Sequence, residues 1–511
     1  MRRIIVFATM LCLISSGPYA AEPGAGPGKG PSTELRAGLE EKVVENTMKN
    51  GMKLLMVERH TSPTVSAWIR FRVGSVDEKS DERGIAHLLE HMLFKGTTTL
   101  GTTDYKAEKP LLDKIEITAQ ALMLEKSRND KADRDKLAEL EKKLSELETE
   151  ASRFVIKDEF FELYSKNGGV GYNAFTSRDG TTYLISLPSN KLELWAAIES
   201  DRLQNAVLRE FYTERSVVME ERRRSYDSDP ESKLWETFLA SSFLTHPYGQ
   251  PTIGWMSDIR NLTRSKAEQF FHSYYAPNNA IVAIVGDIDT KATIALVERY
   301  FGAIRPGKEL SPVTAEEPKQ AGERRIELLA EAEPTLMIGF HKPAILAEDD
   351  YVFDVINMVL GSGRTSRFYK KLVVEKQIAA DIGTFDAPGS RFPGLFVIGA
   401  TPRTPHTVGD VEAAILAELE ILKTEPVSAR DLQRILNKIE YEEARRMGTN
   451  GGLARNLTEY EAVAGNWRYM TEYRSRVTKI TPADIQRVAR EYFTRENRMV
   501  GFITKKGGNG K

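Results

Sequence analysis

The sequence predicts an α+β fold of two homologous halves, each a mainly antiparallel β-sheet covered by helices, with a charged helical insertion in the first half. Three features predict it. At 511 residues the chain exceeds what one hydrophobic core organises. Short β-branched and aromatic runs alternate with helical patterns in an order that recurs on either side of a Pro-, Glu- and Lys-rich stretch, residues 305–322. Between residues 106 and 152, Lys, Glu, Asp and Leu dominate, with Leu137, Leu140, Leu144 and Leu147 at helical spacing.

The elements follow in order. Met1-Arg2-Arg3, the apolar run Ile4 to Ile14 and the small pair Ala20-Ala21 have the pattern of a cleaved signal peptide over residues 1–21, an uncleaved anchor being the alternative. Residues 22–40 are a Gly/Pro-rich linker. The first half spans residues 41–304. Lys53–Val57 and Val65–Val73 have strand composition, preceded by an Asn50-Gly51 turn. Gly84 to Phe94 is apolar with helical spacing. The 106–152 segment is a charged amphipathic helix, one arm of a helical hairpin, serving either as a solvated decoration or as a docking surface. Tyr172 to Leu187 returns to strand character, Lys191 to Asn205 and Glu210 to Arg224 are helical, and Ala280 to Gly286 is a buried strand.

The second half spans residues 323–505 and is followed by a flexible tail, residues 506–511. A strand pair, Arg325–Leu329 and Leu336–Phe340, leads to a helix near Tyr351–Leu360. A Gly-Ser-Gly stretch, a helix from Thr365, a strand near Leu395–Ile398 and further helices come next.

Composition excludes several functions. Hydrophobic residues are 41% and charged residues 28%, and 71 basic against 73 acidic side chains leave a formal charge of -2, so there is no field to hold nucleic acid. Past residue 21 there is no second long apolar run, so no membrane span is expected in the mature chain, which would be exported across the inner membrane to the periplasm. The single cysteine, Cys12, lies in the signal segment, so a metal site must use His, Asp and Glu.

The chemistry concentrates in His87-Leu88-Leu89-Glu90-His91. On a helix, His87 and His91 are four apart and share a face, so both imidazoles reach one zinc ion. Glu90 sits beside that face and can act as general base, the H-x-x-E-H arrangement. The alternative is a helix with two satisfied histidines. A catalytic zinc takes three protein ligands. His60, His246, His272, His341 and His406 have no helix-face partner and read as surface or packing residues, so a carboxylate should complete the set. In Glu214-Arg-Ser-Val-Val-Met-Glu-Glu221, Glu214 and Glu221 are two turns apart on one face. Glu221 as ligand, with Glu214 supporting an imidazole, is a coherent pair, whereas Glu220 points to solvent. Alone, that helix would read as an ordinary charged one.

His87-Leu-Leu-Glu90-His91-Met-Leu-Phe-Lys-Gly-Thr resembles the zinc helix of the pitrilysin/insulinase family, which includes mitochondrial processing peptidase. The resemblance runs on through Asn173-Ala-Phe-Thr-Ser-Arg-Asp179 with Thr182-Tyr183, Glu214 to Glu221, His246-Pro-Tyr-Gly249 and Tyr275-Ala-Pro-Asn-Asn279, covering roughly residues 43–505. It implies a zinc metalloendopeptidase or oligopeptidase with one Zn2+ per chain on His87, His91 and Glu221, Glu90 as base and Glu214 in support. It also implies that Asn173 and Ala174 lie on an edge strand that pairs with extended peptide, and that Phe94 and Phe175 line side-chain pockets.

Two departures from the family pattern matter. His91 and Glu221 are 130 residues apart, more than the family usually has, and the surplus matches the charged segment. Family members usually carry an Arg and a Tyr seven apart in the second half. Here Val373 and Ala380 stand there, and neither can donate to an oxyanion. The resemblance therefore implies a related partner subunit supplying that pair, or otherwise a homodimer; the chain working alone, and a catalytically silent assembly subunit, are the alternatives.

Overall fold

The computed structural model describes residues 38–505. The signal peptide, all but the last residues of the linker, and the tail fall outside the described residues.

Two sheets organise the chain. The first contains β1 (Val43–Thr47), β2 (Lys53–Glu58), β3 (Thr64–Phe71), β4 (Val170–Thr176), β5 (Thr181–Pro188) and β6 (Ala280–Gly286), in the order β1-β2-β6-β3-β5-β4. The second contains β7 (Arg324–Ala330), β8 (Thr335–Lys342), β9 (Ala379–Ala387), β10 (Gly394–Pro402) and β11 (Arg498–Lys505), in the order β7-β11-β8-β10-β9. Each has one parallel pair, β2 with β6 and β7 with β11, and all other pairs are antiparallel. Removing β1 makes the two orders superimpose strand for strand. Strand β4 and strand β9 are therefore equivalent edges.

The positioning helices are α1 (Ile85–Met92), α2 (Tyr105–Lys126), α3 (Arg134–Ala151), α4 (Leu192–Asn205), α5 (Phe211–Arg222), α6 (Pro230–Ser242), α7 (Glu348–Leu360) and α8 (Asn450–Val463). One face of the first sheet packs under α1 and α4 through Ile69, Leu88, Leu89, Trp195 and Ile284. The alternating side chains of the same strands, Leu55, Trp68 and Ala283 among them, meet Leu453, Ala454 and Leu457 of α8. The exchange is reciprocal, because Leu234, Phe238 and Leu239 of α6 pack on Met337, Val397, Met499 and Ile503 of the second sheet. Each half thus covers a sheet face of the other, so the halves share buried apolar area well beyond the stretch 305–322. That stretch carries no helix or strand, yet it is docked. Glu317 accepts from the backbone N–H groups of Leu244 at 2.9 Å and Thr245 at 3.0 Å.

Three sequence readings change. The charged segment is both arms of a hairpin, α2 and α3, turned at Asn129–Lys131 and bridged by Lys136–Glu125 at 3.0 Å and Lys126–Glu141 at 2.7 Å. The strands read as a pair, β7 and β8, do not touch, since β11 from the far end of the chain lies between them. The helix from Thr365 is short and wide-turned, Tyr369–Glu375, just before β9.

Candidate metal centre

Helix α1 is amphipathic by position. Ile85, Ala86, Leu88, Leu89 and Met92 are buried, which leaves His87, Glu90 and His91 on the opposite side. Its start is fixed by Gly84 in the left-handed region (φ +94°), where a Cβ would lie 2.4 Å from the Ile253 carbonyl oxygen. The buried Glu78 carboxylate accepts from the N–H of Gly84 at 3.0 Å and of Ala86 at 2.9 Å, satisfying two otherwise unpaired donors at the helix N-terminus.

Helix α5 brings the second set. Glu221 faces both histidines, with Oε1 3.9 Å from His87 Nε2 and Oε2 3.6 Å from His91 Nε2. The His87 and His91 rings stand 4.8 Å apart, nearly perpendicular. One ligand atom from each of His87, His91 and Glu221 falls within 4.8 Å of the others, the one such trio of His, Cys, Asp or Glu among the described residues. Glu220 is exposed and pairs with Arg223 at 2.9 Å. Glu214, two turns before Glu221, lies behind His91, its Oε1 2.9 Å from Nδ1. Lys95 Nζ holds the other Glu214 oxygen at 2.6 Å.

The electrostatics suit a cation. Burial, with the neighbouring His91, pushes the His87 imidazole down to about 3, so it is a neutral donor at pH 7. Burial works against a charged His91 too, but the Glu214 hydrogen bond and the charges of Glu90 and Glu221 outweigh it and raise the imidazole. Glu214 is itself opposed by burial but held down to about 2 by His91 and Lys95. Glu221 is raised by burial, with Glu214 adding repulsion against the attraction of His91. Two imidazole nitrogens and one carboxylate that lacks a hydrogen-bonded cation form a three-ligand N/N/O set, and a divalent cation would supply the charge that the surrounding carboxylates call for. The residues fit zinc.

The other candidates divide. Glu90 lies beside the trio and takes a 2.6 Å hydrogen bond from the Thr176 hydroxyl, and burial raises its carboxyl. Asn173 is exposed and Ala174 buried on β4, the free edge of the first sheet. Phe94 and Phe175 do not share a pocket. Successive strand residues alternate faces, so Phe175 turns to Trp68 and the α8 side, 6.3 Å between centroids, while Phe94 packs on Tyr172 at 5.2 Å on the α1 side. Val373 packs on the second core in the turn before β9, and Ala380 is exposed at the start of β9.

Sequence reading passed over three residues. Lys95 lies just past the end of α1, where its Nζ reaches the carboxylate that holds His91. Thr176 and Tyr172 stand two residues either side of Ala174, on its face of β4.

Comparison with known proteins bears on the whole chain. Residues 53–109 and 127–254 match the model described as Insulinase (Peptidase family M16), and residues 261–439 match Peptidase M16 inactive domain. The unmatched residues 110–126 are nearly all of α2. The zinc protease PqqE of Helicobacter pylori is 26% identical over 455 residues, covering 88% of this chain and 89% of that one. Among solved structures, a protease from Helicobacter pylori aligns with a TM-score of 0.76 and 25% identity over 91% of this chain and 99% of the other. The first half of the periplasmic protease PqqL from Escherichia coli shares the fold, with a TM-score of 0.67 and 17% identity over 91% and 92%.

Proposed function

Since the chain belongs to the insulinase family, peptidase family M16, we propose that it is a zinc-dependent endopeptidase or oligopeptidase acting on extended peptides. The observation that carries the reading is the convergence of His87 Nε2 and His91 Nε2 on the two oxygens of Glu221, with Glu90 one residue from His91 and not spent on the trio. The relatives named zinc proteases point the same way.

In this reading His87, His91 and Glu221 hold one Zn2+, and Glu214 keeps His91 in the tautomer whose Nε2 faces the site. Bound there, zinc supplies Lewis-acid polarisation. Glu90 takes the proton of the attacking water and passes it to the leaving amine, and its burial makes it a better base than a solvated carboxylate. Asn173 and Ala174 pair with the substrate backbone along the open edge of β4, and Phe94 with Tyr172 forms the apolar wall beside the α1 terminus.

The second half offers Val373 and Ala380 where a donor pair would stabilise an oxyanion, so a related subunit supplies that pair, or failing that a second copy. The inactive-domain match, residues 261–439, lies mostly in this second half and leaves His87, Glu90, His91, Glu214 and Glu221 outside it. No helix among the described residues is long and apolar enough to cross a membrane. That, with the residues 1–21 pattern and the periplasmic PqqL, supports a periplasmic location.

The test is metal content and hydrolysis of quenched unstructured peptides by the chain alone, with its partner, and as Glu90→Gln. One zinc per chain and hydrolysis abolished in Glu90→Gln is the expected result. Zinc bound without hydrolysis in any pairing would favour the silent-subunit alternative.

A further inference from the structure

The Thr176 hydroxyl has one proton and two side-chain oxygens within reach. Glu90 Oε2 is at 2.6 Å and Thr181 Oγ1 at 3.3 Å, while the Thr181 hydroxyl points at the Val73 carbonyl, 3.0 Å away. Thr181 is wholly buried and spends its own proton on Val73, so it has an oxygen to offer but no proton for Thr176. The Thr176 proton goes to the nearer, charged acceptor, Glu90. The Thr176 backbone N–H acts on the same carboxylate, so one residue holds Glu90 through both its hydroxyl and its main chain.

Thr176 is also fixed from behind. It pairs with Thr181 across β4 and β5, and Ala174 pairs with Tyr183 in the same register, whereas the register slips between Val170 and Asn173. The regular part of the edge strand is thus the four residues that end on Thr176. Period-two alternation puts Ala174 and Thr176 on one face, towards α1.

We propose that Thr176 is the positioning residue of the general base, fixing the Glu90 carboxylate so that it meets the attacking water, and that it does so from the strand on which the peptide is laid. This rests on the peptidase reading above. Substrate paired along β4 stiffens the backbone that carries the Thr176 hydroxyl, so the base is best held when the edge is occupied.

The experiment uses the zinc-loaded full chain with whatever subunit gives the highest activity, one quenched peptide, and the variants Thr176→Val, Thr176→Ala and Thr176→Ser, with Glu90→Gln as control. A lost hydrogen bond to a carboxylate predicts a fall in kcat on the order of 10- to 100-fold for Val and Ala. KM and zinc content should stay at the wild-type value, and Ser should remain within about threefold because it keeps the hydroxyl. Wild-type kcat in Thr176→Val, or Ser falling as far as Ala, overturns the proposal while the peptidase reading stands. Should the Val variant fail to fold, the Ser-against-Ala comparison decides alone. A wild-type chain without hydrolysis, indistinguishable from Glu90→Gln, removes both.

Discussion

Glu214 Oε1 lies 2.9 Å from His91 Nδ1, and the second Glu214 oxygen lies 2.6 Å from Lys95 Nζ. The carboxylate is therefore fixed at both ends, and only His91 Nε2 remains to face Glu221. Partners of this kind orient a metal-ligating imidazole, and losing one typically costs about 10- to 100-fold in metal affinity. Glu214→Gln should weaken zinc by that factor with the far-ultraviolet spectrum unchanged, and Lys95→Met should weaken it less. Competition with a chromophoric chelator measures both. Unchanged affinity in Glu214→Gln would remove the supporting role.

The helical hairpin is tied to the same region at its root. Arg209 is fully buried, with Nε 2.9 Å from Glu108 of α2, and its other nitrogens bond the carbonyls of Lys95 at 2.7 Å and Thr97 at 2.6 Å, just past α1. Removing one partner of a buried pair strands the other charge, at a cost of about 3–5 kcal/mol. Arg209→Met should lower urea stability by that amount, and adding Glu108→Leu should recover part of it. Equal stability in single and double variants would show that the two charges do not depend on each other.

How far the sequence reaches depends on how local each signal is. His87, Glu90 and His91 are legible because 3.6-residue periodicity acts within two turns, and the seven-residue step from Glu214 to Glu221 is legible for the same reason. Strand β11 between β7 and β8 is not, because nothing local tells a strand at Arg498 that its neighbours lie near residue 330. The seating of α6 and α8 on the opposite halves is equally non-local. The face taken by Phe175 is not legible either, because one step along a strand reverses the face and the ring turns to Trp68 on the α8 side. The 106–152 segment reads in sequence as one arm of a hairpin rather than as both, and Pro110 inside α2 breaks the helical pattern that would have marked the first arm.

Stability should fall on mild acidification. His246 and His341 flank Phe243, each has a buried Nε2 without a hydrogen-bond partner, and burial lowers both imidazoles despite the nearby Glu317. A lowered folded-state value means that their contribution is complete above the unfolded value, about 6.5, and is lost as pH falls through it, because only the unfolded chain then takes the proton. Below pH 6.5 the loss approaches roughly 1.4 kcal/mol per pH unit per group until the folded-state value is reached. Zinc-saturated wild type and the double variant His246→Asn, His341→Gln, melted between pH 7.5 and 5.5, should diverge in slope, with the variant flatter. Parallel curves would place the acid sensitivity elsewhere.

Phe238 of α6 rests on the second sheet where two strands carry glycine. A Cβ built on Gly339 of β8 would stand 2.7 Å from the Phe238 ring, and one on Gly501 of β11 would stand 2.9 Å from it. Neither glycine has a positive φ, so their use is space for a ring from the other half rather than backbone freedom. Overpacking a fixed aromatic ring costs about 1–3 kcal/mol. Gly339→Ala should therefore destabilise by that amount, and Phe238→Leu in the same chain should relieve it, although Phe238→Leu alone leaves a void and is destabilising. A double variant more stable than either single one, measured by urea unfolding, would show that α6 and β8 are packed as one unit across the two halves. Additive losses would mean that the Gly339 contact is not what seats the helix.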